Sequence, residues 1–274
     1  MSTLFSVPIV STDGFIVCTN PTAHKEQKQR NIYVLTITSP KDNRLTPTLI
    51  DALLLSLDII EHYYPKGVII TTSGIAKFYS NGLDLEIAIN TDGFLEKWMW
   101  PLFRRLLTYT MPTVCFLNGH AFAGGFILAM YHDYRVQNPE QGFLCLNELE
   151  LGVPLQTPMM QIFREKLTPI TFRNVVLEAH RFTGKDSLQA GIVDAVGGMD
   201  AVLRLIHERK LFDKAATGIY GTMKEDMYAR VLESLDGHVK NLAWREKIEK
   251  KKDAMQRRGL QAAERWERES KAKL

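Results

Sequence analysis

The sequence predicts an α/β fold with a parallel sheet, and three observations carry that expectation. Residues 31–38 (NIYVLTIT) alternate apolar and polar side chains in the manner of a strand. Residues 48–63 place apolar side chains at helical spacing, with Asp51, Asp58 and Glu61 on the other side. A β-rich run at 67–72 then ends in Ser73-Gly74, and strand, helix, strand in succession is the order of a βαβ unit.

The later elements follow from the same reading. Ser39-Pro40-Lys41-Asp42-Asn43 closes the first strand as a turn. After Pro154 the pattern is helical over 159–167, 171–179 and 187–190, before a strand-like stop at Gly191-Ile192-Val193-Asp194. From Asp200 the chain reads as helix almost throughout, with its most charged part after Trp244. The expected organisation is an α/β core over 1–200 and a helical C-terminal region over 201–274, with no internal repeat and no low-complexity linker.

A chain of 274 residues is long enough for one large core, or for one domain with a smaller appendage. The formal charge of +3 is unevenly spread, because Lys and Arg outnumber Asp and Glu from Asn241 onward. A basic tail without a basic face gives no expectation of nucleic-acid binding. Cys18, Cys115 and Cys145 are far apart and show no Cys/His ligand spacing, which argues for a reducing compartment and no structural metal. No basic segment followed by an apolar run opens the chain, so no secretory signal is expected. The apolar stretch 113–131 is interrupted by Asn118, His120 and a glycine-rich turn, and is expected as a buried strand and helix, not a membrane span.

Ligands of parallel α/β sheets lie off the carboxyl ends of the strands. The loops 76–84 and 118–125 both follow strands, so both are expected to face one site. The second loop carries Gly124-Gly125 at a strand-to-helix turn, where backbone N–H groups are free to meet an anionic oxygen. About twenty residues on, Asn147-Glu148-Leu149-Glu150-Leu151-Gly152 supplies carboxylates that could move a proton beside it. Both Glu148 and Glu150 are candidates, since residues two apart in an extended segment face the same way. Asp84 reads as a helix cap. His120 lacks metal-ligand partners and reads as a packing or hydrogen-bonding residue beside the loop.

These segments resemble the crotonase (enoyl-CoA hydratase/isomerase) superfamily, and most of all its plant and fungal Δ3,Δ2-enoyl-CoA isomerases. The resemblance runs from about Asn31 to Gly198. It rests on the order and spacing of Pro40-Lys41-Asp42-Asn43-Arg44-Leu45, Lys77-Phe78-Tyr79-Ser80-Asn81-Gly82-Leu83-Asp84-Leu85, the 118–129 motif, the 147–152 segment, and Phe182-Thr183-Gly184 through Ala190-Gly191-Ile192-Val193.

What the resemblance implies is specific. The fold is a spiral of ββα turns with a helical C-terminal region that drives assembly into a homotrimer or a dimer of trimers. The backbone N–H groups of Leu83 and Gly124 form an oxyanion hole for a thioester oxygen, and Glu148 is the acid/base. Substrate contacts come from Arg44, Lys77, Ser80, Asn81, Gly82, Gly125 and Ile127, with the adenine and phosphates near the 41–45 and 77–80 loops. No cofactor is needed, because coenzyme A is part of the substrate.

The implied activity moves a double bond from C3 to C2 of an acyl-CoA during β-oxidation of unsaturated fatty acids. Ile127 stands where many hydratases of the family carry a second glutamate, a departure that weakens a hydratase reading. Gln156 stands about where one fungal branch of the isomerases holds its acid. The alternatives are a hydratase of the same superfamily and a non-catalytic scaffold or RNA binder. Ala272-Lys273-Leu274 follows the small-basic-leucine form of the peroxisomal address, so import by the peroxisomal receptor is expected, with the cytoplasm otherwise.

Overall fold

The computed structural model describes residues 2–10, 12–21 and 31–271. The chain begins with β1 (Ser2–Pro8), β2 (Phe15–Asn20), β3 (Asn31–Thr38) and α1 (Pro47–Tyr63). Next come β4 (Gly67–Ser73), β5 (Phe78–Ser80), α2 (Leu85–Asn90) and α3 (Trp100–Thr108). The middle of the chain forms β6 (Thr113–Leu117), β7 (His120–Phe122), α4 (Gly124–Met130), β8 (Tyr134–Gln137), β9 (Leu144–Cys145) and α5 (Glu148–Leu151). Helices α6 (Thr157–Lys166), α7 (Pro169–Leu177) and α8 (Gly184–Gln189) precede β10 (Ala195–Val196) and α9 (Met199–Glu208). The last helices are α10 (Leu211–Ala215), α11 (Tyr220–Met227), α12 (Ala229–Asp236) and α13 (His238–Lys271).

Seven strands form the main sheet in the order β1-β2-β3-β4-β6-β8-β10. The pairs β1/β2 and β2/β3 are antiparallel, and every pair from β3 to β10 is parallel. Strand β4 is buried along its whole length, as a central parallel strand with both faces covered must be. One cover is α9, whose Ala201, Val202, Leu205 and Ile206 pack with Ile32, Val34, Val68, Ile70, Val114 and Val136. Helix α9 thereby belongs to the sheet's core, and the chain's compact units are Met1–Leu232 and Glu233–Leu274. The second unit, Glu233–Leu274, is mostly α13, a 34-residue helix whose described side chains are nearly all exposed. Residues Ala272, Lys273 and Leu274, which carry the expected targeting signal, lie outside the described residues.

Helix starts fall a little earlier than periodicity alone places them, because caps precede the apolar pattern. Thr46 caps α1 by accepting from the Leu49 N–H, with Pro47 at the first helical position. Thr168 and Pro169 do the same for α7, and Thr183 with Asp186 forms a capping box on α8. The strand-like reading of 191–194 is corrected: Gly191, at φ +70, makes a turn, and the short strand β10 begins only at Ala195.

A second, three-stranded sheet, β5-β7-β9, is parallel and was not foreseen. Its strands are two or three residues long, too short to show a period, and two of them lie inside the loops expected to face one site. Among the described residues no helix is long and apolar enough to cross a membrane, and no group of His, Cys, Asp and Glu could hold a metal ion. Cys18, Cys115 and Cys145 are buried and unpaired, and burial raises each thiol.

Candidate functional site

The small sheet assembles the site. Because β5, β7 and β9 run parallel, their carboxyl ends lie together and deliver three segments to one place: 81–84, Ala123-Gly124 and Asn147-Glu148. These segments line a cavity of about 320 Å³ with Arg44, Leu85, Leu151, Val153, Pro154 and Leu155. The two loops expected to converge do converge.

Two backbone N–H groups meet at this cavity. Gly124 opens α4 directly after Ala123, whose φ of +48 turns the chain sharply from strand to helix; the turn is held by Ala123 N–H donating to Cys145 O at 2.9 Å. The first N–H groups of a helix have no partner within it, and α4 has no side-chain cap. Leu83 is freed differently. Its bridge to Leu45 uses the neighbouring groups, with Leu45 N–H donating to Gly82 O at 2.8 Å and Asp84 N–H to Leu45 O at 3.5 Å. In a trans peptide C=O and N–H point in opposite directions, so the carbonyl of Gly82 held by Leu45 turns the Leu83 N–H away from that bridge. Neither N–H has an acceptor among the described residues.

Glu148 does not sit in an extended segment. Asn147 O accepts from Leu151 N–H at 3.1 Å, Glu148 O from Val153 N–H at 2.9 Å, and Gly152 closes a single helical turn at φ +67. Two residues along a helix point to nearly opposite sides, so Glu148 and Glu150 separate. Glu148 is 9% exposed and lines the cavity. Glu150 is exposed, 3.8 Å from Arg181. Burial raises the Glu148 carboxyl to about 7, partly offset by a hydrogen bond from its own backbone. Its Oε2 has no hydrogen-bond partner, nor does Oδ1 of the adjoining Asn147. Among the described residues, Glu148 is the one carboxylate on the cavity wall.

The other expected contacts scatter. Asn81 lines the cavity, although its side-chain amide donates to Asp42 Oδ2 at 2.7 Å. Arg44 also lines it, with Nε 3.2 Å from Asp42 and Nη1 donating to Leu83 O at 3.1 Å. Ser80, Gly82, Gly125 and Ile127 are not part of the lining. Ser80 is buried with its hydroxyl donating to Asn43 O, and a Cβ on Gly125 would stand 2.3 Å from Ser80 O. Ile127 is 1% exposed within α4. Lys77 borders a separate hollow with Ala76, His120, Gln141 and Gly142. His120 Nδ1 accepts from Phe143 N–H at 3.0 Å, and Asp84 caps α2 by accepting from Ile87 N–H at 3.1 Å. Gln156 is the residue before α6 and is not in the lining. Ala123, Leu85, Leu151, Val153, Pro154 and Leu155 complete the wall with the polar Asn147; sequence alone does not mark the apolar ones, since apolar residues on short irregular segments leave no period to read.

The model of the enoyl-CoA hydratase/isomerase family matches residues 27–269. The chain is 32% identical to the peroxisomal enoyl-CoA delta isomerase 1 of Arabidopsis thaliana over 75% of its length and 90% of that protein's. It is 29% identical to enoyl-CoA delta isomerase 3 of the same plant, over 79% of this chain and 97% of the other. A probable enoyl-CoA hydratase of Mycobacterium tuberculosis shares the fold at a TM-score of 0.69, with 22% identity over 86% of this chain and 98% of that one. With its family signature over most of its length, and its fold shared with solved members, this chain belongs to the enoyl-CoA hydratase/isomerase family.

Proposed function

We propose that this protein is a Δ3,Δ2-enoyl-CoA isomerase. One observation carries the reading: a buried carboxylate, Glu148, with an unpartnered oxygen shares one cavity with two backbone N–H groups that have no acceptor. The names of the Arabidopsis relatives support it.

In this mechanism the thioester oxygen of a 3-enoyl-CoA accepts hydrogen bonds from the N–H groups of Leu83 and Gly124. Glu148 takes a proton from C2, and the electron pair of that C–H bond delocalises over the thioester and the C3=C4 double bond as a dienolate. The two N–H groups hold the charge on oxygen, where one such donor is worth about 3 kcal/mol in acyl-transfer enzymes. Glu148 then returns the proton to C4, leaving a C2=C3 double bond. One carboxylate serves both carbons. A carboxyl near 7 suits this work, because it gives up and takes back a proton at neutral pH with little penalty.

The decisive assay compares isomerisation of 3-hexenoyl-CoA with hydration of crotonyl-CoA. Isomerisation is expected to be faster by at least about a hundredfold, the lower end of what a positioned acid/base contributes. Comparable rates would transfer the assignment to the hydratase alternative, and absence of acyl-CoA binding would revive the scaffold. The proposed location is the peroxisome, supported by the names of two of the relatives. A tagged protein examined with and without Ala272-Lys273-Leu274 tests both location and signal. A homotrimer or a pair of trimers is the proposed assembly, to be checked by sedimentation.

A further inference from the structure

We propose that Arg44 is a positioning residue for the Leu83 N–H, and not a ligand of the coenzyme A phosphates. The inference rests on the isomerase reading above and extends it to a residue that does not touch the reacting atoms.

The segment that presents Leu83 needs external support. Gly82 lies at φ +83, and glycine leaves the backbone free to depart from that conformation. Three residues, Asp42, Leu45 and Arg44, restrain it. Asn81 is held by Asp42 twice, through Asn81 N–H to Asp42 O at 3.0 Å and Asn81 Nδ2 to Asp42 Oδ2 at 2.7 Å. Gly82 O is held by Leu45 N–H, and Leu83 O accepts from Arg44 Nη1 at 3.1 Å. The peptide planes on both sides of Leu83 are thus pinned, the first by Leu45 N–H at Gly82 O, the second by Arg44 at Leu83 O and, more loosely at 3.5 Å, by Leu45 O at the Asp84 N–H. Asp42 in turn takes Arg44 Nε at 3.2 Å, so a single carboxylate ties the guanidinium to Asn81.

A guanidinium is a rigid planar fork, and here two of its edges are committed to Asp42 and Leu83. Swinging out to a phosphate would release both. The Arg44 side chain is 39% exposed, and an ion pair that open to water adds little to stability. Arg44 therefore has more to do with where the Leu83 N–H points than with whether the chain folds.

The test uses two substrates, 3-hexenoyl-CoA and the N-acetylcysteamine thioester of 3-hexenoic acid, which carries no phosphate. For Arg44→Met, kcat is expected to fall by about 10- to 100-fold on both, the size of effect that misplacing a catalytic group produces. KM for the CoA substrate should change by less than about threefold, since a surface charge contributes weakly, and the melting temperature should hold. Asp42→Asn, which leaves Arg44 in place but loosens it and Asn81, should lower kcat in the same direction. A defect confined to KM for the CoA substrate, with normal turnover of the truncated thioester, would show a phosphate contact and overturn the proposal. Unchanged kinetics in both variants would overturn it as well. If Arg44→Met does not fold, Asp42→Asn decides alone by its kcat. An unmodified protein that isomerises neither substrate defeats the isomerase reading itself, an outcome separate from any defect of the variants.

Discussion

A Cβ built on Gly124 would lie 3.3 Å from the backbone nitrogen of Leu83, although the two residues are far apart in the chain and reach the cavity from different strands. In the proposed mechanism that approach is what brings two N–H groups to one oxygen. It also separates the roles of two neighbouring glycines. A Cβ on Gly124 meets the Leu83 side chain and backbone nitrogen at 3.3–3.4 Å, tight contacts that a shift of a few tenths of an ångström relieves, whereas one on Gly125 meets the Ser80 carbonyl at 2.3 Å, which only a larger backbone movement can relieve. Gly124→Ala is therefore expected to fold and to lose about tenfold or more in turnover, as displacement of an oxyanion donor does. Gly125→Ala is expected to lose stability first, by roughly 2 kcal/mol or more, the usual scale of overpacking. Thermal melts alongside steady-state kinetics check both, and a fully active Gly124→Ala would remove Gly124 from the proposed hole.

Glu148→Gln keeps the shape of the side chain and removes the base. Isomerisation should drop by at least about a hundredfold with acyl-CoA binding retained. Glu150→Gln, altering an exposed group paired with Arg181, should leave turnover within about twofold, as surface changes do. The opposite ranking would move the acid/base by two residues.

The carboxyl raised to about 7 has two consequences with pH. Glu148 must be ionised to accept the C2 proton, so kcat/KM should rise with pH and level off above about 7. For stability the sign runs the other way. A carboxyl near 4.5 when unfolded and near 7 when folded binds its proton more tightly in the folded state. Its contribution is complete below 4.5 and is lost as pH rises through about 7, by on the order of 3 kcal/mol. Glu148→Gln escapes that loss, so it should melt above the unmodified protein at pH 8, with the gap narrowing by pH 5. Equal melting curves at pH 8 would mean that the carboxyl is not desolvated.

Ile127→Glu probes the hydratase alternative. The isoleucine is 1% exposed inside α4 and does not line the cavity, so a glutamate there has apolar neighbours in place of water. The variant is expected to lose roughly 3 kcal/mol or more of stability and to gain no hydration of crotonyl-CoA. A stable variant with new hydratase activity would place position 127 on the substrate.

Much of this could be read from residue order. The strand at 31–38, the helix at 48–63 and the run at 67–72 betray themselves by period, because burial on one face repeats every two or 3.6 residues whatever the rest of the chain does. Gly124-Gly125 is legible for a related reason: a sharp strand-to-helix turn with crowded surroundings restricts which residues fit. The family was recognisable from motif order, since spacing along the chain survives where three-dimensional detail is invisible, and the same order singled out Glu148, which lies on the cavity wall.

The tertiary structure decided the rest. β5, β7 and β9 are too short to have a period, and their pairing brings together segments that the sequence shows only as loops. Whether Glu148 or Glu150 faces the cavity turned on one helical turn closed by Gly152, which reverses the expectation for an extended segment. Ile127 went into the core and Lys77 to another hollow, while Arg44 turned Nε to Asp42 and Nη1 to Leu83 O. A residue's type and local period report whether it is buried. Which distant backbone atom it meets depends on how separate segments pack, and no short window of sequence contains that distance.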